Sequence, residues 1–312
     1  MPRAETWTMH LLPLAAGAAL IVAGLRDLVH VLFHPAGSGI LSRGIMRALW
    51  RVLRRIAARR PRVLAIAGPA IFLSVVTTWT ALLALGWAFV FWPFLPHGFR
   101  FASGLDAAAG GGFEDALYVS LVSLATLGFG DVTPTLPWLR VAATLEAGVG
   151  FVLLTAGISW ILSLYPVLRR RRAFAHDLAL ARAAHEHHDV APDALPSSEA
   201  GALLSRWTER LTAIRADLVQ SPISYYFHDP SDDASLPALL PYARVIAAAS
   251  QGAERPPSVR FHGARLERAV GDYLQEIGAS FLPTRQQPGD DAQALLEGYA
   301  ADHCRKPVSP AC

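Results

Sequence analysis

The most informative part of the sequence is residues 113–136, which read FEDALYVSLVSLATLGFGDVTPTL. An apolar run from Ala116 to Ala125 has about the minimum length of a helix and is too short to cross a bilayer. It is followed at once by Thr-Leu-Gly-Phe-Gly-Asp at residues 126–131. Backbone that is not helical is tolerated at membrane depth only where it is buried in protein or lines a water-filled cavity. A short helix followed by Gly-x-Gly therefore predicts a pore loop if membrane spans flank it.

Long apolar segments lie on both sides of this loop. Residues 63–99 contain no Asp, Glu, Lys or Arg, and residues 141–168 contain a single charged residue, Glu146. A bilayer core of about 30 Å is crossed by roughly 20 apolar residues in a helix, so both segments are long enough to span. A third apolar segment, residues 7–33, is interrupted by Arg26-Asp27. We therefore predict an all-α membrane protein with three transmembrane helices, a re-entrant pore helix and a filter loop.

The composition fits a membrane protein and excludes several other classes. Of the 312 residues, 53% are hydrophobic and 17% are charged, which is too apolar for an ordinary soluble chain or a disordered one. The net charge of +3 is too small to argue for a nucleic acid partner. Both cysteines, Cys304 and Cys312, lie at the end of the chain, so no disulfide framework is expected. We predict no zinc or iron site and no cofactor.

The arginines predict the orientation in the membrane, because basic flanks resist translocation. Residues 43–62 hold eight arginines, and Arg169–Arg172 form a second basic cluster directly after the last span. We expect both clusters to face the cytoplasm from a plasma or inner membrane, with the N-terminus and the 98–113 connection outside. Residues 40–58 form either a basic amphipathic helix on the membrane surface or a solvated linker. No span carries the regularly spaced arginines of a voltage sensor.

With spans on either side, the loop resembles the pore domain of tetrameric potassium channels, of the type with two spans around one pore loop. The resemblance covers residues 66–168, roughly a third of the chain. The positions that match the family pattern are Ala116, Leu117, Tyr118, Ser120, Thr126, Gly128, Gly130, Asp131 and Pro134. The resemblance implies passive conduction of K+ rather than enzyme activity. It also implies a homotetramer, because one pore loop per chain needs four chains to close a ring.

The resemblance implies that Thr126, Leu127, Gly128, Phe129 and Gly130 form an ion-binding selectivity filter. A dehydrated potassium ion needs several oxygens at close range, and four converging chains supply rings of backbone carbonyls. Pointing successive carbonyls inward requires left-handed backbone at recurring positions, which Gly128 and Gly130 adopt without steric cost. Thr126 would add a ring of hydroxyls. Leu127 and Phe129 would turn their side chains away and pack the filter against the pore helix.

Residues beside the filter complete this interpretation. Asp131 would lie at the outer mouth, and a pore helix over about residues 114–126 would aim the negative end of its macrodipole at a central cavity. Five residues depart from the family pattern: Leu127 stands for Val or Ile, Phe129 for Tyr, Val119 for an aromatic residue, and Ser123 and Ala125 for threonines of the pore helix. Potassium is expected to be preferred over sodium, and the degree of selectivity stays open.

The last span holds four further candidates. Glu146 is a carboxylate inside a span, and such a residue is a functional candidate by default. It would support the filter, set the electrostatic potential near the cavity, or reach water at the outer surface. Gly150 is a hinge candidate, although a glycine there serves close helix packing equally well, and Gly148 and Gly157 are alternatives for the hinge. Leu154 and Ile158, one and two turns further on, would line the cavity if Gly150 faces it.

After Arg172 the composition becomes rich in Ala, Arg, Asp and Glu, with helical periodicity. Apolar residues recur at helical spacing at Leu204, Trp207, Leu211, Ile214 and Leu218, and again at Leu266, Val270, Tyr273, Leu274, Ile277 and Phe281. Breaks fall at residues 191–198, 229–237 and 253–258. Four or five packed helices and no strand are predicted for this half. No G-x-G-x-x-G follows a strand, so a nucleotide-binding regulatory domain is not indicated.

Two groups of residues in this half each allow two interpretations of their role. His185, His187 and His188 are either part of a metal site or a solvated polar face, and we favour the polar face because no third ligand shares their helical side. Residues 221–227 read SPISYYF, which we expect to seal a helix corner rather than bind a ligand. No arrangement of residues has spacing typical of a catalytic site.

These observations predict three domains. Residues 1–62 form the N-terminal span and basic cytoplasmic linker, residues 63–168 the ion-channel pore domain, and residues 169–312 a helical cytoplasmic domain. The favoured function is a homotetrameric potassium channel whose partners are its own copies and membrane lipid. The alternatives are a weakly selective cation channel and a membrane-anchored helical sensor or scaffold with an inert pore. The gating stimulus and any cytoplasmic regulator do not follow from the sequence.

Overall fold

The computed structural model describes residues 3–33, 39–103, 111–229, 231–282 and 292–306. The helices in these ranges are α1 (Arg3–Phe33), α2 (Ile40–Ala57), α3 (Ala67–Phe91), α4 (Phe113–Leu124), α5 (Pro137–His188), α6 (Ser197–Gln220), α7 (Leu236–Ala249), α8 (Pro257–Ser280) and α9 (Ala292–Asp302). Two short strands, β1 (Phe99–Phe101) and β2 (Val132–Pro134), pair antiparallel with Arg100 opposite Thr133. The predicted all-α class is confirmed, and the small strand pair beside the pore loop is an addition to it.

Three of the described helices are long and apolar enough to cross a membrane. They cover Leu11–Phe33, Arg62–Phe94 and Pro137–His188. The three predicted spans are therefore confirmed, and α1 continues through Arg26-Asp27 without a break. The last span and the first part of the polar half form one continuous helix, α5. Residues 104–110 of the predicted outer connection and Cys312 lie outside the described residues.

The chain divides into two compact units, and the first contains the pore loop. It holds α1, the chain from Leu73 to Leu162, and the beginning of α2. In this unit α1 and α3 approach closely at two glycines, because a Cβ on Gly86 would lie 3.0 Å from the carbonyl oxygen of Gly17. Small residues permit such close helix contacts in lipid, where packing rather than water exclusion drives association.

A core of apolar side chains fixes the start of the pore loop in the first unit. Its buried members are Ala88, Phe91, Leu95, Phe99, Ala116, Val119 and Leu139. Large apolar side chains elsewhere on α3 and α5, such as Leu73, Val141 and Phe151, are at least 60% exposed. Exposed apolar surface of this kind on a membrane helix faces lipid or another subunit.

The second unit contains the chain from Gly44 to Phe72 and the chain from Ser163 onward. The periodicity predicted for α6 and α8 is confirmed, since both predicted faces are buried. Phe281, the last residue of the predicted face of α8, lies one residue beyond the end of the helix. Its ring stacks on that of Tyr225, with the ring centroids 4.1 Å apart. Residues 221–227 form a short 3-10 helix, Pro222–Tyr226, whose buried aromatic side chains close the corner after α6 as predicted.

The basic cluster at the end of the last span forms ion pairs within the second unit. Arg170 binds Asp217 through two nitrogens, at 2.7 and 2.6 Å. Arg171 and Arg172 both bind Asp229, at 3.1 and 2.8 Å. These arginines therefore hold the polar part of α5 in the helical half, which the sequence pattern did not predict.

The stretch at residues 40–58 forms the helix α2 rather than an irregular linker. The indole nitrogen of Trp50 donates to Asp302 at 2.8 Å, and the hydroxyl of Tyr225 donates to the same carboxylate at 2.6 Å. Arg54 also pairs with Asp302, which is 3% exposed. The body of α2 is therefore bound to the helical half through one buried carboxylate. Its location on a membrane surface stays a prediction.

Candidate functional site

The pore loop begins with α4, which is the predicted pore helix. The carboxylate of Asp115 accepts hydrogen bonds from the backbone N–H groups of Gly111 and Gly112, at 2.8 and 3.2 Å. An acidic side chain at this end of a helix satisfies free N–H groups and complements the helix dipole. The helix ends at Leu124, two residues before the predicted boundary.

The end of α4 explains the conformation of Thr126. The N–H of Thr126 binds the carbonyl of Ser123 at 2.9 Å, and the N–H of Leu127 binds the carbonyl of Val122 at 2.9 Å. This pair of bonds is the Schellman motif, which requires a left-handed residue at the first position past the cap. Thr126 occupies that position with φ of +56°. A β-branched residue is unusual there, and such strained backbone concentrates at functional sites.

Left-handed backbone recurs at every second residue after the helix. Gly128 has φ of +57° and Gly130 has φ of +78°. The predicted conformation of both glycines is therefore present, and Thr126 extends the alternation by one position. Alternating hands let successive carbonyl groups point to the same side of the chain, which is the arrangement that a row of ion-binding oxygens needs.

The side chains of the two residues between these positions are largely exposed, and their packing against the pore helix stays a prediction. Leu127 is 57% exposed and Phe129 is 64% exposed. One chain supplies only one wall of the loop. More than half of each side chain is therefore left without cover by the part of the chain that the structure describes.

Asp131 follows the loop and is bound by the pore helix. The hydroxyl of Tyr118 donates to its carboxylate at 2.5 Å, and the other carboxylate oxygen accepts the N–H of Val132 at 3.1 Å. The Tyr118 hydroxyl lowers the pKa of Asp131 below its ordinary value. The bond ties the far end of the loop back to α4. The family pattern contains both residues, but their spacing alone did not predict the contact.

Glu146 is completely buried, so the predicted alternative in which it reaches water is wrong within this chain. Ser120 of the pore helix donates its hydroxyl to Glu146 at 2.5 Å. The same hydroxyl lies 2.9 Å from the backbone carbonyl of Ala84. Glu146 on α5 is therefore joined to α4 directly and to α3 through one serine. Its partner is a side chain of the pore helix, not the backbone of the filter.

Gly150 lies where α5 passes closest to the end of the pore helix. A Cβ at this position would overlap the carbonyl oxygen of Leu124. Close packing thus accounts for the glycine, and its hinge role stays a prediction. Leu154 and Ile158 are 63% and 52% exposed, on a side of α5 that the described residues leave largely uncovered. Their position along a cavity also stays a prediction.

The first unit contains a polar cluster around Asp27 that was not predicted from the sequence. Asp27 is 5% exposed and accepts a hydrogen bond from the indole nitrogen of Trp79 at 2.9 Å. The signal for it was present, because Asp27 is a carboxylate inside an apolar segment, where charged groups are rarely without a partner. It was interpreted only as an interruption of the span.

Among the described residues, no group of three His, Cys, Asp or Glu side chains is placed to hold a metal ion. The three histidines near the end of α5 are partly or largely exposed, and the rings of His187 and His188 contact each other edge to face, 4.7 Å apart. The Nδ1 atom of His185 lies 3.4 Å from the hydroxyl of Tyr242, and the solvated polar face stays a prediction.

Comparison with known proteins locates a family match on the same segment. Residues 63–165 match the family model described as "Ion channel". The chain is 22% identical to an uncharacterized membrane protein of Bacillus subtilis (strain 168), YdjJ, over 287 residues, which are 90% of this chain and 83% of that protein. No solved structure gives a significant match. The family match covers the two spans and the loop between them.

Proposed function

We propose that this chain, whose residues 63–165 match an ion channel family model, conducts potassium passively as a homotetramer. The observation that carries the proposal is the left-handed backbone at Thr126, Gly128 and Gly130, directly after a short helix between two spans. Rings of backbone carbonyls from this segment replace the hydration shell of the ion. An ion channel family is not an enzyme class, and no catalytic role is proposed.

Four copies are proposed because one chain leaves its loop uncovered. Leu127 and Phe129 are both more than half exposed, and a closed ring of identical loops gives them neighbours from adjacent subunits. Burial of two large apolar side chains per chain contributes about 1.5–3 kcal/mol each relative to exposure. Assembly and filter formation are therefore the same event in this proposal.

Individual residues take roles according to their positions. The carbonyls of residues 126–130 hold K+, and Asp131, fixed by Tyr118, lies at the outer mouth. Glu146 supports the filter indirectly, because it is bound to Ser120 in the middle of the pore helix. Leu154 and Ile158 line the inner cavity.

The remaining assignments concern the membrane and the domain division. We propose that the chain lies in the plasma or inner membrane with the N-terminus outside and residues 169–312 in the cytoplasm. The basic residues at 43–62 and at Arg169–Arg172 support this orientation. The division into residues 1–62, 63–168 and 169–312 is proposed on the same basis. Membrane lipid is the proposed environment of the exposed apolar surface of α3 and α5.

Potassium is proposed over sodium, because the loop has the length and glycine pattern of a carbonyl filter. Phe129 has no phenol hydroxyl, and Val119 has no polar group in its side chain. The filter therefore lacks a hydrogen bond at these two positions, but neither position leaves a buried polar group unpaired. A weakly selective cation channel is the outcome expected if this support is essential for discrimination.

Flux from liposomes tests the proposal. The purified chain, reconstituted in vesicles with a potassium gradient, is expected to take up rubidium and to be blocked by barium. Gly128→Ala is expected to abolish uptake, because the left-handed backbone there disfavours a side chain by about 1–2 kcal/mol per subunit and the carbonyls would leave their positions. Among the described residues nothing lies within 4 Å of that Cβ, so the variant is expected to fold.

The control is Gly148→Ala, which adds the same methyl group to a helical glycine with open space around it. It is expected to retain uptake. Uptake by Gly128→Ala equal to that of the unsubstituted chain would contradict the proposed filter. Absence of uptake by the unsubstituted chain, together with a monomer in detergent after crosslinking, would favour the scaffold with an inert pore.

A further inference from the structure

Asp27 of α1 is a buried carboxylate with an unusual number of partners for a residue in a span. Its oxygens accept hydrogen bonds from the backbone N–H groups of Leu41 at 2.9 Å and Ser42 at 3.1 Å, and from the Ser42 hydroxyl. The indole nitrogen of Trp79 on α3 is the fourth donor, at 2.9 Å. In all four contacts the carboxylate of Asp27 is the acceptor.

Asp27 caps the first turn of α2 from another helix. Gly39 stands at the capping position, since its carbonyl accepts the first intrahelical bond, from Arg43 at 3.1 Å. Glycine has no side chain with which to bind the free N–H groups of the first turn. A Cβ on Gly39 would overlap the Asp27 carboxylate, which takes the place of that missing side chain. A negative charge at this end of a helix is stabilising.

Trp79 carries the contact on to the pore-lining helix. Its ring lies 5.4 Å from the ring of Trp160 on α5, centroid to centroid. Both side chains are buried, with exposures of 1% and 6%. Asp27, Trp79 and Trp160 thus form a continuous series of contacts from the start of α2, through α1 and α3, to α5. We call it the Asp27 relay.

The relay meets α5 far from the filter and on its outer side. Trp160 lies ten residues beyond Gly150, which is about 15 Å along a helix. It follows Ile158 by two residues, which turns it about 200° around the helix axis. If Ile158 faces the pore axis, as in the proposed function, Trp160 faces away from it.

We propose that the Asp27 relay couples α2 to the pore-lining helix and favours the open pore. The inference rests on the proposed function. A contact on the outer side of α5 holds this helix against α3 and away from the axis. Loss of the contact lets α5 move toward the axis, where the pore narrows. The N-terminal span α1 is therefore part of the gating structure, and α2 is the element through which a cytoplasmic signal acts on it.

The test uses substitutions that remove single contacts from the full-length chain. Trp79→Phe keeps an aromatic ring against Trp160 but removes the donor to Asp27. Asp27→Asn keeps the shape but removes the charge that caps α2. The matched control is Trp87→Phe on the same helix, because the indole nitrogen of Trp87 has no hydrogen-bond partner in the part of the chain that the structure describes.

Single-channel recording in bilayers gives the first measurement. Trp79→Phe and Asp27→Asn are expected to lower the open probability about fivefold or more, the lower end of typical coupling between sites, with unchanged unitary conductance. Trp87→Phe is expected to leave both quantities unchanged. If the unsubstituted chain conducts and Trp79→Phe has the same open probability as the unsubstituted chain, the relay is refuted while the channel assignment stands. If the unsubstituted chain does not conduct, the channel assignment fails.

Hydrogen exchange of the detergent-solubilised chain gives a second measurement that does not need conductance. Trp79→Phe is expected to speed exchange both in the first turn of α2 and around Trp160, whereas Trp87→Phe changes neither. Faster exchange in the first turn of α2 alone would show a local cap without transmission to α5, and would overturn the proposal. Unfolding of the whole chain is recognised separately, by faster exchange in α6 and α8.

Discussion

The substitution Arg171→Met probes the contact that holds the polar part of α5 in the helical half. The guanidinium of Arg171 donates to the backbone carbonyls of Ser224 and Phe227, at 2.7 and 2.5 Å. It also pairs with Asp229, and the exposed fractions of the two side chains are 6% and 3%. Methionine fills a similar volume but offers no donor, so the substitution leaves two carbonyls and one carboxylate without this partner.

The expected loss of stability follows from the burial of the pair. Removing one partner of a buried ion pair costs about 3–5 kcal/mol, because an uncompensated charge remains. Arg172 still binds Asp229 at 2.8 Å, although 43% of its side chain is exposed. We therefore expect about 3 kcal/mol, the lower end of the range. Arg170→Met is the control, because Arg170 is half exposed and its pair with Asp217 is worth at most about 1 kcal/mol.

The assay is hydrogen exchange of α8 in a urea titration of the full-length chain in detergent. A loss of about 3 kcal/mol corresponds to more than a hundredfold increase in the population of the open, exchanging state. The double variant Arg171→Met, Asp229→Leu should lose less than the two single variants added together, because residues in contact are not additive. Equal losses from Arg171→Met and Arg170→Met would refute the reasoning that burial makes the difference.

Three further predictions concern packing and pH. Gly150→Ala is expected to cost about 1–3 kcal/mol in thermal unfolding of the solubilised chain, because its Cβ overlaps the Leu124 carbonyl, whereas Gly148→Ala should be neutral. Leu211→Ala, at a fully buried position of α6, is expected to destabilise the helical half by about 2–5 kcal/mol in urea, and a loss well below that would contradict the packing. Burial lowers the pKa of His303 well below its ordinary value, so the folded chain resists a proton that the unfolded chain accepts. Stability in urea should fall as pH drops below about 6.5, and His303→Phe should reduce that fall, while an identical pH profile would contradict the assignment.

The sequence predicted best those features in which a local pattern has one structural solution. The spacing of Leu204, Trp207 and Leu211 specified the buried face of α6, because a helix repeats every 3.6 residues. Gly128 and Gly130 indicated left-handed backbone, because glycine adopts this conformation without steric cost. The left-handed backbone of Thr126 was not predicted, because the hydrogen bonds that end the pore helix impose it and threonine itself does not favour it.

Features that join distant parts of the chain could not be predicted from one sequence. Asp302 binds Trp50, which is more than two hundred residues earlier, and nothing local to either residue indicates the pair. The same is true of Glu146 and Ser120 on different helices. Asp27 could be predicted in part. A carboxylate inside a span is expected to have a polar partner, but the sequence does not indicate that this partner is Trp79. Buried polar partners follow from tertiary structure alone.

The reversal potential of the reconstituted chain tests the central claim most directly. Membrane current is recorded with potassium on one side of the bilayer and sodium on the other, for the unsubstituted chain and for Gly128→Ala. A filter of main-chain carbonyls at residues 126–130 predicts a reversal potential close to the equilibrium potential of potassium, and no current from the variant. A reversal potential near zero would leave a pore without potassium selectivity, and an unchanged current from Gly128→Ala would show that ions do not pass along this segment.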